Sequence, residues 1–211
     1  MDFTELLKLV GDEPVFESAL LLAGDVNPSA IWVQLSRWVA SGRLIQLRRG
    51  LYALAPPFQK TPPHPFLIAN RMVRASYVSC QSALAYYGLI PEHVPVTISV
   101  TTARPARWRT PSGEFEFRRI KPEHLRGYRR VELGGQQRAF VATPEKALLD
   151  LIYLQPNGDS RAYLQELRLQ NLERLNGDEL QRQAAEFNSP KLKRAAQRVR
   201  ELAEAEAYEA L

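Results

Sequence analysis

Five of the chain's fifteen prolines fall between Ala55 and Pro65, in the run Ala55-Pro56-Pro57-Phe58-Gln59-Lys60-Thr61-Pro62-Pro63-His64-Pro65. Proline fixes φ and lacks an amide hydrogen, so this run suits neither a helix interior nor a central strand and favours stiff, extended backbone. It predicts a division of the 211 residues into a unit over 1–55, a linker over 56–65 and a second unit over 66–211.

Before the linker, Phe3, Leu6, Leu7 and Val10 recur at helical spacing and stop at Gly11. Glu17 to Ala23 predicts a second helix ending at Gly24. Asn27 as an N-cap and Pro28 at the first helical position open a third, which runs to Ser41-Gly42. Arg43–Leu47 and Leu51–Leu54 then form a hairpin around Arg48-Arg49-Gly50. This order, three helices and a basic hairpin, is that of a winged helix-turn-helix.

The third helix has two contrasting faces. Ile31, Leu35, Trp38 and Val39 share one sector and point to a core, while Ser29, Val33, Ser36, Arg37 and Ala40 lie opposite with Trp32 at the flank. Residues 26–55 contain Arg37, Arg43, Arg48 and Arg49 and no acid at all, although residues 1–25 contain six acids and one base. An acid-free face with short side chains can enter a major groove, where the N-terminal residues of a recognition helix reach base edges. The expected DNA contacts are therefore Ser29, Trp32, Val33, Ser36 and Arg37, with Arg43 and the wing residues Arg48 and Arg49 on phosphates or in a minor groove. Tyr52 either donates its hydroxyl to a phosphate or packs beneath the wing, and the Trp32 indole either lies at the groove rim or packs against the next domain.

Beyond the linker, helical and strand patterns alternate. Phe66–Val73 and Ser82–Tyr87 are expected helices. Val96–Thr101, Glu114–Arg118, Arg130–Leu133 and Arg138–Val141 are expected strands, the last two joined at Gly134-Gly135. Thr143 caps a helix that starts at Pro144, and a helical tail follows from Ser160, broken near Asn176-Gly177 and Asn188-Ser189-Pro190. The fold class is thus α+β: a winged helix-turn-helix, then a mixed α/β domain with a small sheet and a helical C-terminal extension. Positive charge also gathers in this second part, and Arg104, Arg107, Arg109, Arg118 and Arg119 form a possible second basic surface for DNA, a protein partner or RNA.

Catalysis finds little support in the residues. His64, His93 and His124 are scattered, without the His-Glu-x-x-His spacing of a zinc site, and no phosphate-cradling glycine loop is present. Glu114 and Glu116 alternate on a strand among arginines, but Arg118 stands where a nuclease-type site would carry lysine, and a guanidinium does not exchange its proton. No enzyme, cofactor or metal is expected. The N-terminus lacks the basic and apolar regions of a signal peptide, no apolar run is long enough for a membrane helix, and Cys80 stands alone, so a cytoplasmic protein without a membrane partner is expected.

Three strings together resemble one family. They are Leu35-Ser36-Arg37-Trp38-Val39 with Gly42-Arg43-Leu44 and Arg48-Arg49-Gly50-Leu51-Tyr52, Tyr77-Val78-Ser79-Cys80-Gln81-Ser82-Ala83-Leu84-Ala85-Tyr86-Tyr87-Gly88-Leu89, and Thr143-Pro144-Glu145-Lys146-Ala147-Leu148-Leu149-Asp150. In this order they resemble the AbiEi-type antitoxins of type IV toxin–antitoxin pairs, also described as predicted transcriptional regulators of viral defence systems. The resemblance implies a bacterial protein that binds operator DNA, represses its own operon and counters a nucleotidyltransferase-type toxin. The family usually carries an aliphatic residue at the position of Trp38 and a base near Ala40-Ser41, so Arg43 or the second domain would have to supply that charge here. The alternative is a stand-alone winged-helix transcription factor whose second domain senses a ligand or binds another protein. Without the resemblance, the second and third strings are explained as helix starts with buried stripes.

Overall fold

The computed structural model describes residues 1–23 and 26–209, so the expected stop at Gly24 lies outside the described residues, as do the last two residues of the tail. The chain is mixed α/β, with eight α-helices, one three-stranded sheet and one six-stranded sheet among the described residues.

The first helix, α1 (Phe3–Val10), opens with a capping box between Asp2 and Glu5 and ends at Gly11. Glu17 does not start a helix. With Phe16 it forms the short strand β1 (Phe16–Glu17), and the apolar run behind it winds into a 3-10 turn, Ser18–Leu22. The reason is non-local: Phe16 and Glu17 pair antiparallel with Tyr52 and Leu51. Helix α2 (Pro28–Ala40) starts as expected, the Asn27 side chain accepting from the amides of Ser29 and Ala30. Strands β2 (Leu44–Arg48) and β3 (Leu51–Leu54) follow, and Gly50 closes the turn between them at φ 81°, a conformation that strains any side chain. The order in this sheet is β1-β3-β2.

All four residues of β3 are buried, because the strand is covered on both faces. Tyr52 and Leu54 join Leu6, Phe16, Ile31, Leu35 and Trp38 in a small core. Leu51 and Ala53 point the other way, into a larger core that also holds Leu47 and most apolar residues of the second part. A continuous apolar run is the expected signature of such two-sided burial.

The segment 56–65 is held at several points. Lys60 pairs with Asp12, the Gln59 side chain donates to the Leu54 carbonyl, and Gln137 accepts from the His64 amide while donating to the Pro62 carbonyl. Helix α3 (Pro65–Met72) then lies against β2 and the larger sheet. The remaining elements are β4 (Ser76–Val78), α4 (Cys80–Tyr86), β5 (Val96–Thr101), β6 (Ala106–Thr110), β7 (Gly113–Arg119), β8 (Tyr128–Glu132), β9 (Arg138–Ala142) and α5 (Pro144–Leu154). The large sheet runs β6-β7-β5-β4-β9-β8, with β5–β7 and β4–β9 parallel and the other neighbours antiparallel.

The tail breaks at the two expected places and is less helical than expected over one stretch only. Helices α6 (Arg161–Glu166), α7 (Gly177–Glu186) and α8 (Pro190–Glu209) break where Asn176 and Pro190 stand. Between α6 and α7 the backbone makes only a 3-10 turn, Leu172–Arg174. Leu180, Ala184 and Phe187 on one side, and Leu192, Ala195, Ala196 and Val199 on the other, seal the tail onto the main core.

Candidate nucleic-acid interface

Helix α2 turns Ile31, Leu35 and Trp38 inward, which leaves its other face to solvent. Ser29, Trp32, Val33, Ser36 and Arg37 are all exposed, Trp32 at 40% and Val33 at 50%. Trp32 thus leaves two fifths of its surface open to solvent. Ser36 Oγ donates to the Trp32 carbonyl one turn back at 3.0 Å. No acidic residue occurs in α2, so nothing on this face repels a phosphate.

The basic residues around the hairpin are not equivalent. Arg49 is exposed, and Arg43 is exposed with its guanidinium 5.1 Å from the centre of the Phe3 ring. Arg48 is half-buried. Its guanidinium donates to the Arg49 carbonyl at 2.9 Å and reaches toward the Arg71 carbonyl near the end of α3 at 3.5 Å. Tyr52 is buried and stacked on Phe16, its hydroxyl in contact with the Gln46 side chain at 3.4 Å, and burial raises its pKa. Of the two placements open to Tyr52, the structure shows packing beneath the hairpin.

The second basic group lies on β6 and β7, with Arg104 just ahead of β6. Arg107 and Arg109 both pair with Glu114, and Arg118 pairs with Glu116. Arg104 and Arg119 are exposed. The two strand glutamates are thereby occupied by guanidiniums, across the β6–β7 ladder and along β7. Strand β6 lies beside β2, which brings these arginines to the flank of the smaller sheet.

The second and third motif strings meet in one place. Tyr77 and Ser79 on and after β4 face Lys146 and Asp150 on α5. Lys146 Nζ forms an ion pair with Asp150 and donates to the Tyr77 hydroxyl at 2.8 Å. The Tyr77 and Ser79 hydroxyls both donate to Asp150 Oδ2, at 3.0 and 2.8 Å. All four residues are buried, and burial holds the Asp150 carboxyl above its usual range and the Lys146 ammonium below its own. Gly127 permits the close approach: a side chain there would meet the Lys146 stem at 3.1 Å. Phe187 of the tail closes the far side, its ring 4.9 Å from Lys146 Nζ and stacked on His124 at 4.2 Å.

Other motif residues also hold backbone. Glu145 accepts from the Asn176 amide, and Ser82 Oγ bridges the Val96 carbonyl and the Ile98 amide. Residues 77–82 and 143–150 thus knit two strands, two helices and the start of the tail together.

No protein-family model and no curated protein matches the chain.

Among the described residues no cluster of three His, Cys, Asp or Glu side chains is arranged to hold a metal, and no helix is long and apolar enough to cross a membrane. Two exposed aromatic residues escaped the sequence reading, Tyr128 and Phe140 on the neighbouring strands β8 and β9. Phe140 carries a usable signal. It alternates with buried Ala139 and Val141, so the strand period places an aromatic ring on the solvent side.

Proposed function

We propose that residues 1–55 form a winged helix that binds double-stranded operator DNA, and that the chain represses its own operon as the antitoxin of a nucleotidyltransferase-type toxin. The observation that carries the DNA reading is the outer face of α2. Its five expected contact residues are all exposed to solvent, without an acid among them. Arg43 and Arg49 add exposed charge at either end of the hairpin. In this reading α2 lies in the major groove with Ser29, Trp32, Val33, Ser36 and Arg37 toward the bases, and Arg49 touches the sugar–phosphate backbone.

The antitoxin role rests on the resemblance of the motif strings to AbiEi-type proteins. Tyr77, Ser79, Lys146 and Asp150 serve there as a scaffold for whatever surface meets the toxin, since none of them reaches solvent. A footprint on the DNA directly upstream of the gene tests repression, and growth rescue by co-expression with the neighbouring gene tests the antitoxin role. A protected operator and restored growth are expected. Absence of any protected site would overturn the DNA reading, and protection without rescue would leave a transcription factor that is no antitoxin.

A further inference from the structure

A groove of about 360 Å³ runs between α3 and the edge formed by β8 and β9. Four guanidiniums line it, those of Arg71, Arg74, Arg130 and Arg138. Arg74 is neutralised by Glu17 and Arg138 by Glu132. Arg71 and Arg130 form no ion pair among the described residues. Tyr128 and Phe140 line the same groove, 40% and 45% exposed, with ring centres 5.7 Å apart in an edge-to-face arrangement.

The two rings are held in place from behind. Tyr128 stacks on buried Tyr77 at 4.6 Å, and Asn70 binds the backbone of Phe140, accepting from its amide at 2.6 Å and donating to its carbonyl at 3.5 Å. Packing does not account for the whole of this aromatic pair beside unneutralised guanidiniums, because each residue leaves two fifths or more of its surface in water. The pair matches a flexible polyanion that carries flat apolar groups.

We propose that this groove binds single-stranded nucleic acid, with Arg71 and Arg130 on successive phosphates and bases against Phe140 and Tyr128. A duplex fits the chemistry less well, since its base faces are covered by their stacked neighbours. An acidic peptide would satisfy the guanidiniums but offer no flat face to the rings. The site shares no residue with the outer face of α2, so the two interfaces stand or fall separately.

The test is fluorescence anisotropy on the full chain with short fluorescein-labelled uridine and deoxythymidine oligomers. Both should bind, because stacking and phosphate contact do not read the 2′-hydroxyl. Phe140→Ala should weaken binding about tenfold while Phe140→Tyr retains it. Arg71→Ala with Arg130→Ala should flatten the salt dependence by about 1.4 units of slope, at roughly 0.7 for each single-strand phosphate released. Melting temperatures close to the parent's would show that the variants fold. Failure of both oligomers to bind, or equal binding by Phe140→Ala, would overturn the proposal. So would displacement by unlabelled duplex or by polyglutamate as efficient as displacement by the oligomer itself.

Discussion

Lys146 and Asp150, one turn apart on α5, form an ion pair from which solvent is excluded, with side chains 1% and 0% exposed. Burying two charges is repaid only when their remaining hydrogen-bonding capacity is met, and here Tyr77 and Ser79 supply the partners.

Removing one member strands the other in the core. Asp150→Asn or Lys146→Met should lower stability by about 3–5 kcal/mol in urea unfolding. Replacing both with apolar residues of similar volume should recover much of that loss. A single variant as stable as the parent would show that the pair contributes nothing.

Alkaline pH should weaken the same region. Burial pushes the Cys80 thiol up to about 12, with Asp150 adding to the effect, and burial likewise pushes the Tyr163 hydroxyl up to about 12. Both groups hold their protons more tightly folded than unfolded. The associated stability is complete below about pH 9 and is lost as pH climbs toward 12. The urea midpoint should therefore fall across this window, and fall less steeply in Cys80→Ala. A thiol reagent at neutral pH should label the unfolded chain and spare the native one, since the thiolate is the reactive form.

If Arg49 touches a DNA phosphate, Arg49→Ala should flatten the salt dependence of operator binding by about 0.9 units of slope. Arg48→Ala should change that slope less, because its guanidinium is directed to the Arg49 and Arg71 carbonyls. Equal slopes for Arg49→Ala and the parent would place the hairpin tip outside the interface.

Asn27 caps α2 through two amides, and Asn27→Ala should cost about 1 kcal/mol in thermal unfolding. Arg37→Ala should leave stability nearly unchanged and reduce discrimination between operator and random DNA by about 1–3 kcal/mol, measured by competition binding. Equal losses on both DNAs would assign Arg37 to the backbone instead of a base.

How much of this was legible depends on how local each cause is. Helix α2 and the start of α5 are written into adjacent residues: Asn27 and Thr143 accept from amides just ahead of them, and proline follows each at the first helical position. Strand β5 shows in its own alternation, Val96, Ile98 and Val100 against Thr97, Ser99 and Thr101. Strand β1 does not, since its partners Leu51 and Tyr52 lie far along the chain, so its residues merge with the apolar run behind them. Strand β6 is hidden for another reason. Its outward Arg107 and Arg109 find their partner, Glu114, only once β7 lies alongside. In the candidate interface, periodicity was enough to place the outer face of α2. The half-burial of Arg48 was not readable, because it depends on α3 returning to the hairpin. Motif strings likewise flagged Lys146 and Asp150, but their enclosure by Tyr77 and Phe187 is a property of the assembled core.

Strand β3 feeds alternate side chains to two different interiors, with no slack between them. A swivel of the first fifty-odd residues about the proline-rich segment would have to pull Leu51 and Ala53 out of their sockets. Any signal arriving at the far body must therefore reach α2 as strain passed through shared packing, or act by blocking access to DNA. A free-swinging head is not among the options.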